Sequence, residues 1–507
     1  MPASMFNGFM KLVPYQQRLY RGLVTGLLTT SSLISQSWLA QPAKAEPAQT
    51  TAYCKFTKEA IAQKQKLLQQ SLKGNSDAQK RYKTLLKRHS ESLQQCRQQI
   101  WPKDQAIWLR LYPCDVRPGS VDEILDRIVN RGYNKVYVEV FSDGQVLLPS
   151  VDNSTPWPSV LRSPETAKVD LLAEVIQKGH ERGLKVYSWL FTMNFGYNYA
   201  QRPDRQSALA RNSKGESTLS FVDDGSQVFI DPYNQQAKND YYRMVQEVIR
   251  RKPDGVLFDY IRYPRGSGSD SVVSKVQDLW IYGDAARQAL YERSLNSKGL
   301  ELIRRFISQG YISANDVTAV DQLYPKEGSP LWQGRNPPPN ELQAPVAQRQ
   351  NLLQWDLWQF SVAHAVQGVL DFLTVAMLPA QRQGIKTGAV FFPDANQAVG
   401  QQGYDSRLQA WERFPSSMEW HPMAYGVCGN TSCIEAQVLR VISRAAPGTS
   451  VEPVLAGNWD QPVNGRPSLE AQMQAIHRVA PQVNSISHFA YSWQEPQHDR
   501  DRKFCRL

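Results

Sequence analysis

The sequence predicts a (β/α)8 barrel, and two observations lead to this fold class. From Ala106 onward, short runs rich in β-branched and aromatic residues alternate with helical patterns, as in β/α units around a parallel sheet. Eight such runs occur, the number that closes a barrel. They span residues 107–111, 135–141, 185–191, 255–260, 387–392, 418–425, 451–455 and 486–493.

Helical patterns follow several of these runs. Residues 120–130 begin with Ser120 and Glu123 at the spacing of a capping box, residues 169–182 are stopped by a glycine, and residues 234–251 form a third pattern. The catalytic groups of such barrels lie at the C-terminal ends of the strands. Residues at these ends are therefore the candidates for a site.

Two connections are much longer than the rest. Residues 192–233 follow the third strand, and residues 265–350 follow the fourth, with a helical part and then a proline-rich stretch. Connections of this length usually carry function or disorder. Both fall on the side of the barrel where a site is expected.

The N-terminus has the pattern of a secretory signal peptide. Lys11, Arg18 and Arg21 precede a mostly apolar stretch at 22–40, and residues 43–45 read Ala-Lys-Ala, a small-x-small cleavage pattern. An uncleaved anchor is the alternative, which the polar residues within the stretch weaken. We expect an exported protein, periplasmic or extracellular.

The charge does not indicate a nucleic-acid partner. Lys and Arg number 58 and Asp and Glu 47, a formal charge of +11, and removing the four basic residues of the expected signal from +11 leaves +7. This excess is mild and dispersed. No later stretch has 18 unbroken apolar residues, so we expect no membrane partner after signal removal; the oligomeric state stays open.

Three segments are predicted. Residues 1–45 form the signal peptide, residues 46–103 a helical hairpin with helices near 55–73 and 77–95, and residues 104–507 the barrel with an insertion at about 265–350.

The six cysteines favour disulfides because the chain is expected to be exported. Equal helix lengths in the hairpin return Cys96 to Cys54, while Cys428 and Cys433 bracket a four-residue loop. The remaining pair follows by elimination. The predicted disulfides are Cys54–Cys96, Cys114–Cys505 and Cys428–Cys433.

Asp259 is the first candidate catalytic residue. It ends the fourth strand on the same face as Leu257. A carboxylate at the end of an apolar strand is costly unless it is paired or used. The alternative is a structural ion pair with Arg262 or Arg110.

Six further segments occur in a fixed order along the barrel region. They are Trp108-Leu109-Arg110, residues 132–140, residues 180–189, Ile230-Asp231-Pro232, residues 254–264 and Pro422-Met423-Ala424-Tyr425. The series resembles the successive motifs of the glycosyl-hydrolase-like family 10 domains, over about residues 106–495. This resemblance implies a TIM barrel that acts on carbohydrate, with bacterial relatives that cleave cell-wall glycan strands.

The chain departs from the family pattern at two positions. Many members carry two adjacent acidic residues on the fourth strand, whereas Tyr260 follows Asp259 here. Many have an amide where Glu139 stands, so the resemblance implies no acid/base role for Glu139.

Glycoside hydrolysis needs two carboxyl groups that flank the scissile bond. With Asp259 as one, the candidates for the other lie at or just past strand ends: Glu139, Asp460 and Glu495. For Glu139 a salt bridge at the rim is the alternative, and Glu419 ranks lower because it comes earlier in its strand. The pair and the stereochemistry stay open.

Aromatic residues at the same rim are suited to stacking on sugar faces, with rim packing as the alternative. His421 is a candidate for contact with a substrate hydroxyl or, alternatively, a core histidine. The predicted substrate-binding residues are Arg110, Trp189, Arg262, Tyr263, His421, Tyr425, Trp459 and Trp493.

Other chemistries lack their motifs. The seven histidines include no His-x-His or His-Glu-x-x-His spacing, and no Gly-x-Gly-x-x-Gly or Gly-x-Ser-x-Gly occurs. We therefore expect no metal, no cofactor and no esterase chemistry.

The function predicted is an exported glycoside hydrolase that cleaves an extended glycan by a two-carboxylate mechanism, with bacterial peptidoglycan strands as the leading substrate. The alternative is a noncatalytic glycan-binding or cell-envelope scaffold protein on a degenerate glycosidase barrel.

Overall fold

The computed structural model describes residues 50–222 and 224–506, so the expected signal peptide lies outside the described residues. Eight strands form the centre of the fold. They are β1 Asp104–Leu109, β2 Lys135–Ser142, β3 Lys185–Phe191, β4 Gly255–Asp259, β5 Lys386–Phe391, β6 Glu419–Ala424, β7 Val454–Ala456 and β8 Ser485–Phe489.

These strands close into a parallel barrel. Each strand pairs with its neighbour in chain order, and β1 pairs with both β2 and β8. Almost every strand residue is buried, because side chains fill the inside and helices cover the outside. The predicted (β/α)8 barrel is confirmed.

Fourteen α-helices lie in the described residues and mostly cover the barrel. They are α1 Lys58–Leu72, α2 Ser76–Gln99, α3 Ser120–Asn130, α4 Leu171–His180, α5 Gly196–Ala200, α6 Gln235–Ile249, α7 Asp284–Tyr291, α8 Ser297–Gln309, α9 Ala314–Leu323, α10 Val346–Arg382, α11 Ser432–Ile442, α12 Leu469–Val479, α13 Tyr491–Gln494 and α14 Pro496–Lys503.

The strand boundaries differ from the prediction most in β1, which begins at Asp104 rather than at 107, and in β7 and β8; the others agree to within one residue at each end. β7 begins at Val454 rather than at 451, because Pro453 has no N–H to donate to a strand ladder. β8 ends at Phe489, and the chain turns into α13, where the Tyr491 hydroxyl contacts His498 of α14. The predicted run 486–493 was therefore too long.

The hairpin of α1 and α2 has its own small core and packs on the barrel. Leu67 and Leu86 belong to the apolar cluster between the two helices. Tyr82 of α2 donates to Asp126 of α3 at 2.8 Å, and Arg182 donates to the Tyr82 hydroxyl at 2.7 Å. These buried polar contacts fix the hairpin against the outside of the barrel.

All three predicted disulfides are present, and no cysteine in the described residues is free. The Cα–Cα separations are 5.8 Å for Cys54–Cys96, 5.5 Å for Cys114–Cys505 and 6.1 Å for Cys428–Cys433. The first closes the hairpin, and the second ties the C-terminal end to the connection after β1.

The connection after β4 is largely helical. It contains α7, α8 and α9 and leads into α10, which packs against α6 and β5. By length and composition α10 is long and apolar enough to cross a membrane. More than half of its most apolar stretch is buried inside the chain, which is typical of a core helix.

Candidate active site

A cavity of about 300 Å³ lies at the C-terminal ends of the strands, with Asp259 in its wall. A second cavity of about 240 Å³ adjoins it and contains Glu139. Three residues line both cavities: Arg110, Trp189 and Phe489. The two cavities therefore form one cleft across the end of the barrel where the sequence predicted a site.

Asp259 is held at the bottom of this cleft by two donors. The indole N–H of Trp189 donates to Oδ2 at 3.1 Å, and the backbone N–H of Tyr260 donates to Oδ1 at 2.6 Å. Burial raises the pKa of Asp259 to about 6, and these two donors and Arg262 only partly oppose it. A carboxyl group with this pKa holds or releases a proton near neutral pH.

Glu139 lies on the other side of Trp189. The two residues are partners in the register of β2 and β3. Arg110 grips both carboxylate oxygens, with Nε 2.7 Å from Oε1 and Nη2 donating to Oε2 at 2.9 Å, and Ser142 also donates to Oε1. Burial raises the pKa of Glu139 although Arg110 opposes it, and the charge of Glu139 acts to raise the pKa of Asp259.

Two acidic residues that the sequence analysis did not select also line the cavity beside Asp259. Asp143 follows β2, 37% of its side chain is exposed, and burial raises its pKa. Asp224 comes from the long connection after β3, and hydrogen bonds from Ser226 lower its pKa. The sequence feature that could have pointed to both residues is an Asp-Gly pair, which is typical of a turn. Asp143 precedes Gly144, and Asp224 precedes Gly225.

Four of the predicted substrate-binding residues line the cleft: Arg110, Trp189, Arg262 and Tyr425. The Arg262 guanidinium lies 4.5 Å from the ring centroid of Tyr260 and donates to the carbonyl of Tyr263 at 2.9 Å. The positive charge of Arg262 lowers the pKa of Asp259, although the two side chains do not form an ion pair.

The other four do not line the cleft. Tyr263 is fully buried with its hydroxyl 3.5 Å from the carbonyl of Ala365 in α10, so no ring face is open to a sugar. His421 is fully buried inside the barrel. Trp459 packs on the outside of the barrel, where its indole N–H donates to the Tyr133 hydroxyl at 3.0 Å, and Trp493 lies in α13 rather than at a strand end.

Two of the predicted carboxylate partners lie elsewhere. Asp460 is 83% exposed, and its nearest cation is Lys55 of the hairpin at 4.0 Å. Glu495 pairs with Arg127 at 3.0 Å and Arg131 at 2.6 Å, on the outer surface beside α3. Neither lines the cleft, because the chain beyond β7 and β8 turns outward to pack on helices. These placements leave Glu139 as the predicted partner that shares the cleft with Asp259.

The fold is a closed (β/α)8 barrel with a buried carboxyl group at the end of β4 and further carboxylates around it. Residues 104–286 match the family model described as Glycosyl hydrolase-like 10. The match covers the first half of the barrel and includes both Glu139 and Asp259. The predicted family resemblance is confirmed over this segment.

Among curated proteins, the chain is 28% identical over 162 residues to Glycosyl hydrolase DigH of Escherichia coli strain K12 and equally to that of Shigella flexneri. The alignment covers 30% of this chain and 36% of each relative, so the chain matches about a third of their length.

Two solved structures are also similar. The PgaB (BpsB) glycoside hydrolase domain from Bordetella bronchiseptica is 13% identical with a TM-score of 0.44, over 79% of this chain and 98% of that one. A GH20 exo β-N-acetylglucosaminidase from Vibrio harveyi is 9% identical with a TM-score of 0.39, over 80% of this chain and 53% of that one.

Proposed function

We propose that the protein is a glycoside hydrolase in which Asp259 supplies a proton to the leaving oxygen of the scissile bond. The observation that carries this proposal is a carboxyl group at a barrel strand end whose pKa is raised to about 6 within an open cleft. A general acid must hold its proton at working pH and release it in the transition state. Burial of Asp259 gives it both abilities.

The second carboxyl group stabilises positive charge on the sugar or activates water. Both oxygens of Glu139 are occupied by Arg110, so we assign Glu139 to fixing the charge beside Asp259 rather than to attack. Asp143 is less engaged, since its nearest partners are Arg110 at 3.7 Å and Ser226 at 3.5 Å. We therefore propose Asp143 as the second reacting carboxylate.

The substrate we propose is an extended glycan. Two adjoining cavities, rather than one closed pocket, lie along the strand ends, and the aromatic side chains of Trp189, Tyr425 and Phe489 line them. Aromatic faces offer apolar area to successive sugar rings. Contacts remote from the reacting bond help to position it.

Bacterial cell-wall glycan strands are the proposed polymer, in a periplasmic or extracellular location. The family resemblance supports the polymer, while the signal pattern and three disulfides support export. The cleft itself is not basic, because the cavity around Asp259 is lined by three acidic residues and two arginines: Asp143, Asp224, Asp259, Arg110 and Arg262. Overall positive charge therefore gives no reason to favour an acidic polymer.

The test incubates the mature protein with purified peptidoglycan strands, with and without stem peptides, and with neutral α- and β-glucans. Released oligosaccharides are measured by mass spectrometry. Three variants accompany the wild type. Asp259→Asn tests the proton donor, and Asp460→Asn is its matched control, since Asp460 is an exposed aspartate outside the cleft. Asp143→Asn tests the second carboxylate.

We expect release from cell-wall strands by the wild type and by the Asp460→Asn variant. Loss of one reacting group typically costs about 10²- to 10⁴-fold, so Asp259→Asn should show little or no release. Release from neutral glucans alone would contradict the cell-wall assignment. Tight binding without release from any glycan would move the protein to the scaffold alternative.

A further inference from the structure

The opposite end of the barrel carries a polar cluster that the proposed hydrolysis does not use. Glu419 and His421 lie on β6, and Glu452 lies just before β7. All three side chains are buried: His421 completely, and the glutamates to more than nine-tenths. One nitrogen or oxygen of each lies within 4.8 Å of the others.

Three buried polar atoms of this cluster lack hydrogen-bond partners among the described residues. These atoms are both ring nitrogens of His421 and Oε2 of Glu419. Nε2 of His421 and Oε2 of Glu419 are 3.6 Å apart, too far for a hydrogen bond. Buried polar atoms without partners are energetically costly. A single bound ion between Nε2 of His421 and Oε2 of Glu419 would remove this cost for both atoms.

The separation suits two ligands of one cation. Metal–nitrogen and metal–oxygen bonds of about 2.1 Å at a tetrahedral angle place the two ligand atoms about 3.4 Å apart. Gly388 on β5 leaves room for the ring, since a Cβ there would lie 2.8 Å from Nε2 of His421. An imidazole with two carboxylates favours zinc and its neighbours among the transition metals over magnesium or calcium.

The surrounding groups hold the carboxylates by their other oxygens. Oε1 of Glu419 is 3.3 Å from Lys386 and accepts from Tyr187 at 3.2 Å. Oε2 of Glu452 is 3.3 Å from Lys135 and accepts from Ser485 at 2.5 Å. Such contacts orient ligands. They leave Oε2 of Glu419 without a hydrogen bond, while Oε1 of Glu452 accepts a long hydrogen bond from Ser450 at 3.3 Å.

Charge and access also permit a cation. Lys135 is 2.9 Å from Asp104, so the cluster has three carboxylates against two lysines and a net negative charge with neutral histidine. A cavity of about 670 Å³ on this face is lined by both glutamates and both lysines. The cavity gives solvent access to the two glutamates, while His421 lies buried behind them.

We propose that Glu419, His421 and Glu452 bind one divalent transition-metal ion at the N-terminal end of the barrel. The site is distinct from the cleft around Asp259. Because an ion that binds the folded chain and not the unfolded chain shifts the equilibrium toward the fold, the ion stabilises the barrel.

The test uses the mature chain without a histidine tag, treated with EDTA and dialysed. Calorimetric titration with Zn²⁺ measures affinity and stoichiometry, and Co²⁺ absorption reports the coordination. The variants are Glu419→Gln and His421→Gln. The matched control is His364→Gln, since His364 is another buried histidine whose Nδ1 has no partner among the described residues, and it stacks on Tyr233 instead.

We expect one Zn²⁺ per wild-type chain, a higher midpoint of thermal unfolding with Zn²⁺, and at least tenfold weaker binding in both cluster variants but not in His364→Gln. No saturable binding by the wild type, or equal binding by all variants, overturns the proposal. If His421→Gln fails to fold, Glu419→Gln and a zinc-edge anomalous map of wild-type crystals decide. A peak between Glu419 and His421 supports the site, and a water alone there refutes it.

Discussion

Replacing Asp259 by asparagine separates the catalytic role of this residue from its effect on stability. The change keeps the size of the side chain and removes its charge. In the folded chain the carboxyl group of Asp259 has a pKa of about 6, whereas its usual pKa is 3.8. This difference in pKa is worth about 3 kcal/mol. Above pH 6, burial of the charged form therefore lowers the stability of the wild type by about this amount.

Asparagine avoids this cost but introduces another. In the wild type each of the two carboxylate oxygens accepts one hydrogen bond, from the Trp189 indole N–H or from the Tyr260 backbone N–H. The asparagine amide has only one oxygen, so its NH2 group faces one of these two donors. A donor left without its acceptor costs about 1–3 kcal/mol. Since the avoided cost of about 3 kcal/mol equals or exceeds this, we expect the variant to be up to about 2 kcal/mol more stable than the wild type at pH 7.5.

The sign of this difference depends on pH. A raised carboxyl pKa gives the fold stability below pH 3.8 that is lost as the pH rises through about 6. At pH 4 the gain of the variant should disappear and leave only the cost of the unpaired donor. Urea unfolding followed by tryptophan fluorescence at several pH values between 4 and 8 measures this, beside the cleavage assay on the same samples.

Two results would refute the reasoning. One is a stability difference between variant and wild type that does not change between pH 4 and 7.5, since Asp259 would then have an ordinary pKa. The other is undiminished cleavage by Asp259→Asn, which would remove this carboxyl from proton transfer.

Three further predictions follow from the same geometry. Glu139→Gln removes a negative charge that raises the pKa of Asp259. Because activity falls as Asp259 loses its proton, this fall should move to lower pH in a pH–rate profile of the variant. Trp189→Phe removes a hydrogen bond that lowers the same pKa, and the fall should move to higher pH; shifts in one direction for both would contradict the assignment. Replacing Cys54 and Cys96 together by serine opens a link between residues 42 apart and should lower the free energy of unfolding by about 2–4 kcal/mol, measured by urea unfolding without reductant.

Much of the barrel could be predicted because its signals are local. Buried parallel strands are continuous apolar runs, and each of the eight is visible in the sequence, as in 185–191, which the structure reproduces without change. The C-terminal ends of such strands meet at one end of a barrel, and this rule was enough to select Asp259, Glu139 and Arg110. The disulfides followed from spacing and elimination.

The prediction of the site was less complete where the chain leaves the strands. Asp460 and Glu495 follow strand ends in sequence but point to the hairpin and to α3. Asp143 and Asp224 enter the cleft from connections that have no periodicity to read. The direction of a side chain beyond a strand end depends on what the loop packs against, which local pattern does not encode.

The sequence by itself determined the barrel, its helical hairpin and the acidic residue at the end of β4, because each depends on local periodicity or short spacing. The disulfides followed from short spacing for two pairs and from elimination for Cys114–Cys505. Only the tertiary structure decided which carboxylates share a cleft and how burial raises the pKa of Asp259. It also brought Glu419 and His421 together with Glu452, from a different strand end, without any metal-binding motif. These features depend on contacts between distant segments, and such contacts exist only after the barrel has closed.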